Sequence, residues 1–436
     1  MKKAQSVIFS QLEQLCRMRC REVYGQILHE KIEDRLSKEL SIIEEMHLAP
    51  GFLEEYDKKQ RTDPGSFICI GGMGGSFVAF LLGLTKIDPL PPHYICRSCH
   101  QIGFYTYEDE VLHFGDMGSD LPDRQCPECG SLMAKSGSDI PCESVYGTTY
   151  AGKIYFEPQP LSGGQVMLNE LIRRTGTDPV PEDLTSDENN KIMSLFADVD
   201  ELGICPEQIG GITVGTLGTD DEQIRYLLAK IRPRRSSDVM RIFCLEESAG
   251  YPFELPSERI KEKENALHEC ITDPEDVFLY LTHNQVSSIV AQKIMGAVRK
   301  GKFAKGIKVL SDPDIKELED RNIPESYIDE LYKVSYLPSK SYACEQTLMM
   351  WKLLYFKLYH AAEFYRCYIE FSCFAEDRGY SVREMISKGY DYIKDKAEII
   401  MNLDPAHMNI GNMRLLNDLL VMMEISARGI EICSLI

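Results

Sequence analysis

Apolar residues recur at three- and four-residue intervals through most of this chain. Leu12, Leu15, Met18 and Val23, followed by Ile32, Leu36, Leu40, Ile42 and Ile43, keep one face of a helix apolar over residues 11–48, the period at which a helix buries a single stripe. The same period predicts helices over 165–174, 189–196, 220–230, 236–248, 274–300, 312–320, 325–334, 344–374, 381–402 and 412–431. Pro233, Pro252, Pro256, Pro313, Pro324 and Pro338 punctuate them. Strand signals are few. A short apolar run beginning at residue 67, the glycines Gly71, Gly72, Gly74 and Gly75, and a helix starting near Phe77 read as a strand-loop-helix unit, with one more strand over Lys153–Phe156. The chain has no internal repeat and no low-complexity tail. The predicted class is α+β, predominantly helical.

The helical period stops between residues 88 and 135. In its place stand Cys96-Arg97-Ser98-Cys99 and Cys126-Pro127-Glu128-Cys129, with Pro89, Pro91, Pro92, Pro122 and Gly130 close by. Each C-x-x-C pair can turn two thiolates towards one point, and Cys96, Cys99, Cys126 and Cys129 together complete a tetrahedral zinc site. The intervening residues 100–125 exceed the usual short spacing, which leaves room for a hairpin or loop. The alternative is two chance pairs among 15 cysteines. The prolines and glycines around both pairs favour built turns. Four thiolates leave no open coordination position, so such a zinc organises a fold and does not activate water.

Composition narrows the function classes. The 436 residues suffice for two or three domains, 44% are hydrophobic and 27% charged, and this is a soluble globular profile. No apolar run reaches the length of a membrane span. Met1–Ser6 is not followed by the apolar stretch of a signal peptide. Reduced cysteines and a cytoplasmic location are therefore expected, with Cys69, Cys244, Cys344, Cys367 and Cys373 as small core residues. The formal charge of −20 opposes a dedicated nucleic-acid coat, because such affinity comes largely from neutralising phosphates.

A local exception is the basic island at 291–310, which contains Lys293, Arg299, Lys300, Lys302, Lys305 and Lys308 and no acidic residue. It fits either a grip on a triphosphate or nucleic-acid backbone, or a helix C-terminus followed by a solvated loop. The glycine loop is open in the same way. It suits a phosphate at a helix N-terminus or a plain tight turn, and it matches neither the P-loop nor the dinucleotide fingerprint. His268 and His283 fall in helical patterns and read as structural. Asp198-Val199-Asp200 reads as a solvated loop. The carboxylates that a two-metal phosphoryl-transfer site requires do not converge in any segment.

Several segments taken together resemble the PolC type of DNA polymerase III alpha subunit found in Gram-positive bacteria. They are Gly75–Ala79, Leu84–Tyr94, Gly118–Asp123, both cysteine pairs, Asp139–Pro141, Leu202–Ile209, Val298–Lys302, Ile323–Ile328, Ser339–Ala343 and Tyr355–Lys357, in the same order over residues 22–430. The resemblance implies a reduced nucleotidyltransferase-like palm over 67–160 with a zinc-binding segment at 94–130. It also implies helical fingers over 161–340, between an N-terminal helical region (1–66) and a C-terminal one (341–436). Within it, Arg299, Lys300 and Lys302, and more weakly Lys340, correspond to a segment approaching the phosphates of an incoming nucleotide.

The departures matter as much. Where the family carries an Asp-x-Asp strand holding two magnesium ions, this chain has Tyr155 and Glu157, and most of the palm stretch before the third aspartate is missing. Ile70 stands in the place of an arginine and Tyr342 in the place of a histidine. Counterparts of the family's exonuclease, PHP, OB and C-terminal duplex-binding modules are not found. The expectation is a catalytically inactive relative without bound magnesium, acting by binding replication proteins. The alternatives are a residual nucleotidyltransferase or polymerase built on Glu157 with Glu143 or Asp139, and a sensor that binds dNTP or DNA without turnover.

Overall fold

The computed structural model describes residues 2–61, 72–106, 112–146, 163–204, 227–228, 230–248, 267–268, 270–371, 382–403 and 409–430. Its first half contains α1 (Lys2–Tyr24), α2 (Glu30–Glu45), α3 (Ala49–Arg61), α4 (Phe77–Leu81), β1 (His93–Ile95), β2 (Ile102–Phe104), β3 (Ala134–Ser136), α5 (Cys142–Tyr146), α6 (Gly163–Thr175) and α7 (Ser186–Ser194). Then follow α8 (Ser236–Glu247), α9 (Pro274–His283), α10 (Ser288–Arg299), α11 (Asp312–Asp320), α12 (Glu325–Lys333), α13 (Lys340–Tyr359), α14 (Ala361–Phe371), α15 (Val382–Ser387), α16 (Tyr390–Met401) and α17 (Ile410–Ala427). The protein is α+β and predominantly helical, with one three-stranded antiparallel sheet among the described residues, in the order β2-β1-β3. The predicted strand at 153–156, the run before Gly72 and most of the helix predicted over 220–230 lie outside the described residues.

Several helices predicted as continuous are broken. The reading over 11–48 resolves into α1 and α2 because Gly25 takes φ +91°, and a Cβ there would come within 2.7 Å of the His100 Cβ. The reading over 274–300 divides at Gln285 (φ 63°), and that over 381–402 divides at Gly389 (φ 88°). Left-handed residues of this kind end a helix by returning N–H groups to its last carbonyls. At the Gln285 break Val286 N donates to Leu281 O at 3.0 Å.

The chain forms two compact units, each discontinuous in sequence. The first comprises 1–159, 182–184 and 235–347, and the second 160–181, 185–234 and 348–436. In the first, one core joins Leu12, Cys16, Cys20 and Tyr24 of α1 to Ile32, Leu36, Leu40 and Ile43 of α2, Phe52 of α3 and Phe77 and Val78 of α4. A second core gathers the apolar faces of α9, α10, α11 and α12 around Val290, Ile294, Val298, Phe303 and Leu331. In the second unit, α6 packs with α13, α14 and α17 through Leu171, Leu353, Phe356, Phe364 and Val421. That core also holds a fully buried ion pair, Lys357 Nζ to Glu424 Oε1 at 2.6 Å. The Tyr365 hydroxyl donates to the same carboxylate.

The sheet frames the cysteine segment. β1 runs antiparallel to both neighbours, with Tyr94 opposite Gly103 on one side and Lys135 on the other. Asp88 ties this sheet to α1, because its carboxylate accepts from the Tyr24 hydroxyl at 2.8 Å and the Ser136 hydroxyl at 3.0 Å. The proline-rich stretch before β1 is held by the loop after β3. Ser138, Asp139 and Ile140 donate their N–H groups to the carbonyls of Asp88, Leu90 and Pro89.

Candidate functional site

The two cysteine pairs form matching turns. In one, His100 N donates to Cys96 O at 2.9 Å and Cys96 N to Gln101 O at 2.9 Å. In the other, Gly130 N donates to Cys126 O at 2.9 Å and Cys126 N to Ser131 O at 2.8 Å. Each turn closes on a left-handed residue, His100 (φ 57°) and Gly130 (φ 73°). The turns face each other with Cys96 Sγ 3.4 Å from Cys129 Sγ and Cys99 Sγ 3.5 Å from Cys126 Sγ. All four sulfurs lie within 4.8 Å of one another. Tetrahedral Zn–S bonds of about 2.3 Å require sulfurs about 3.8 Å apart, so the cluster fits a metal ion of that kind. Tyr94, Leu112, Leu121 and Met133 pack beneath Cys96 and Cys126.

The basic island does not stay together. Arg299 points inward, where its Nη2 donates to Glu275 Oε1 at 2.6 Å and its Nη1 to Ser144 O at 3.2 Å. Lys340 is fully buried, with Nζ 2.9 Å from Asp276 Oδ1. Burial alone would lower this ammonium, but Asp276 and Asp273 outweigh it and hold it above its usual range. Lys293 pairs with Asp314 at 2.9 Å and Lys308 with Asp312 at 3.3 Å. Lys300 is exposed and Lys302 half-buried. Tyr155 and Glu157 lie outside the described residues. Of the other carboxylates weighed for a rebuilt site, Glu143 pairs with Lys38 at 2.6 Å, and Asp139 is buried in a left-handed backbone.

The glycine loop has an occupant of its own. The buried carboxylate of Glu39 on α2 accepts from Phe77 N at 2.9 Å, Val78 N at 3.2 Å, the Ser76 hydroxyl at 2.8 Å and the Tyr146 hydroxyl at 3.0 Å. Arg35 donates to Glu39 at 2.6 Å and to the carbonyls of Ile140 and Gly75. A carboxylate at the N-terminus of α4 supplies the negative charge that the first N–H groups of a helix attract. The seat considered for phosphate is therefore filled from within the chain.

A second internal network joins residues far apart in sequence. Arg241 bonds Asp116 at 3.2 Å, Asp276 at 3.0 Å and the Phe114 carbonyl. His268 places its ring nitrogens 3.3 Å from Asp116 and 3.2 Å from Asp238. It lies in a turn, not in the helix that its surroundings suggest. His283 ends α9 and packs on Phe114. Burial would lower the His268 imidazole, yet its two carboxylate partners raise it above its usual value. Asp120 accepts from Ser236 N at 2.7 Å and Ser237 N at 3.1 Å, capping α8. Arg35 and Glu39 stand one helical turn apart, but nothing in the linear pattern marks Asp116, Arg241 and Asp276 as partners, because their separations follow no helical or strand period.

Glu345 is a buried carboxyl of another kind. Its Oε1 accepts from the Thr85 hydroxyl at 2.9 Å, and its Oε2 is buried without a hydrogen-bond partner among the described residues. Burial pushes its pKa up to about 8. The fold thus favours the protonated form. Its contribution to stability is full below the unfolded value near 4.5 and is lost as pH rises through about 8. Glu345→Gln keeps an acceptor for Thr85 and removes the titration. Urea midpoints should fall less between pH 5 and 8 in the variant than in the parent, and parallel curves would contradict this.

No helix among the described residues is long and apolar enough to cross a membrane. Residues 10–126 match the family model of the bacterial DNA polymerase III alpha NTPase domain. The chain is similar to proteins named DNA polymerase III PolC-type. That of Caldanaerobacter subterraneus is 26% identical over 97% of this chain and 38% of its own length. That of Oceanobacillus iheyensis is 26% identical over 89% and 35%, and that of Bacillus subtilis 25% over 82% and 33%. The chain spans about a third of the length of these relatives. The first alignment runs over 549 positions, more than the 436 residues available, so that relative contains internal segments with no counterpart here.

Proposed function

We propose that this relative of PolC-type DNA polymerase III acts by binding in DNA replication and does not polymerise. The observation that carries the reading is the inward pairing of Arg299 with Glu275 and of Lys340 with Asp276. These two cations fall in segments that resemble those serving an incoming nucleotide, and here their charge is already neutralised. A buried cation released from such a pair leaves an uncompensated carboxylate, typically at a cost of about 3–5 kcal/mol, so a triphosphate would have to offset that before gaining affinity.

Two sequence features point the same way. Tyr155 and Glu157 stand where the resemblance places two metal-binding aspartates, and a single electrostatic group at a reacting centre is commonly worth about 100- to 1000-fold in rate. The Caldanaerobacter subterraneus relative also contains internal segments with no counterpart here, and this reading takes 67–160 as a reduced palm, followed by fingers-like helices over 161–340. The four cysteines hold a structural zinc in this reading, and the partner is a replication protein in the cytoplasm.

Primer extension is the test. Purified protein with magnesium, dNTPs and a primed template should extend no more primer than a reaction lacking protein. Extension at a rate near that of a replicative polymerase would overturn the proposal.

A further inference from the structure

The outward part of the basic island continues into a second segment that the nucleotide reading leaves unused. After α10 the chain makes a tight turn in which Gly301 takes φ +59°, and a Cβ there would lie 1.9 Å from the Ser335 carbonyl oxygen. That close approach lays residues 300–308 against residues 332–336. Phe303 then packs on Tyr332 with ring centroids 4.9 Å apart, and Val334 and Leu337 anchor the second segment in the core.

What remains outside is basic and apolar together. Lys300, Lys305, Lys308 and Lys333 are exposed. Ile307 is 49% exposed, Tyr332 48% and Tyr336 44%. Neither 299–311 nor 331–341 contains an acidic residue, in a chain of net charge −20. Apolar groups that adjoin one another and are rimmed by polar residues mark interaction sites, and tyrosine is among the residues enriched there.

We propose that this face docks a short acidic segment of a partner protein, one that carries apolar side chains between its carboxylates. Charge complementarity selects an anionic occupant. The size of the patch selects a short one, because a nucleic-acid strand gains affinity from phosphates neutralised along its length, and the chain as a whole carries a net charge of −20. Ile307 adds a contact that suits an aliphatic side chain and offers no flat face for a base. The partner's carboxylates meet Lys305, and meet Lys308 in exchange for its exposed 3.3 Å contact with Asp312, while its apolar groups cover Ile307 and the edges of Tyr332 and Tyr336. The proposal rests on the reading of this protein as a binding protein, which primer extension tests separately. Peptide binding can fail while extension stays absent.

The experiment uses the full chain and a fluorescein-labelled peptide of 14 residues in which Asp and Glu alternate with Leu and Phe, read by anisotropy in low salt. Binding should weaken at least tenfold in the double variant Lys305→Glu/Lys308→Glu, and also in Tyr336→Ala. It should weaken as salt screens the lysines. Lys305 and Lys308 are exposed, so an unchanged melting temperature would confirm that the charge variant is folded. No peptide binding, or binding indifferent to these substitutions, would overturn the proposal. So would tighter binding of a 20-nucleotide dT strand that the same substitutions abolish, which would assign the face to nucleic acid. A low-salt dimer that the substitutions dissociate would assign it to a second copy of the chain and would equally overturn it.

Discussion

Stripping the metal from the four-cysteine cluster should unfold the segment from Tyr94 to Met133 and lower the melting temperature of the whole protein. The sulfurs of Cys96, Cys99, Cys126 and Cys129 are gathered within 4.8 Å. Without a cation, four ionised thiolates at that spacing repel one another, and four neutral thiols offer only weak hydrogen bonds. Structural zinc sites commonly contribute about 10–16 kcal/mol of apparent binding free energy, and that energy is folding energy. The sheet around this cluster is small, with three residues in each strand, and the apolar cluster beneath the turns is small as well, built on Tyr94, Leu112, Leu121 and Met133. The damage should spread. Asp88 links β3 to α1, and Asp120, just before the second turn, caps α8. Purified protein should contain one zinc per chain by mass spectrometry. Chelation, or Cys126→Ser, should remove the metal and lower the melting temperature by tens of degrees, whereas Cys367→Ser, outside the cluster, should keep the metal. Protein that lacks metal as purified and melts unchanged in Cys126→Ser would contradict the assignment.

Glu39→Ala should destabilise the first unit by about 3–5 kcal/mol, the range for breaking a buried charge pair by removing one partner. The substitution leaves Arg35 buried without its carboxylate and takes the acceptor from Phe77 N, Val78 N, Ser76 and Tyr146. Glu39→Gln should cost less, since the amide oxygen can still accept while its NH2 group faces donors. Replacing both members of the pair, as Arg35→Met/Glu39→Met, should recover part of the loss, because two apolar side chains leave no buried charge behind. Chemical denaturation of the four proteins measures this. A Glu39→Ala variant within 0.5 kcal/mol of the parent would mean that the carboxylate does not hold the glycine loop.

Both expectations use residues that the sequence treats very differently. The cysteine pairs are legible at once, because two thiolates separated by two residues can share one metal only through one kind of tight turn, and that turn is a local property. Helices are legible for a similar reason. An apolar stripe at period 3.6 is local, and α6, α8, α11 and α12 lie close to where the stripe puts them. Helix breaks are less legible. Gly389 is a recognisable stop, but Gln285 ends α9 in a left-handed conformation that its side chain does nothing to announce. The periodic residues on either side continue as though the helix did.

The roles of the charges needed the tertiary structure. Composition marks 291–310 as a basic island, and the fold divides it. Arg299 is committed to Glu275 and joins Lys340, paired with Asp276, in the interior, while Lys300, Lys305 and Lys308 stay at the surface. A lysine in water and a lysine buried beside aspartate are the same letter. Glu39 reaches a loop 37 residues away, and Arg241 reaches Asp116 across 125. Such pairings depend on which helices pack together, a long-range outcome of burying apolar area, to which the charged residues then adapt. The sequence by itself determined the predominantly helical class, the helical segments and the four-cysteine pattern, because each follows from the chemistry of neighbouring residues. Only the tertiary structure decided that the glycine loop is filled by Glu39 and that two of the cations likened to a phosphate grip are turned inward, because a charge takes its role from the groups that folding places around it.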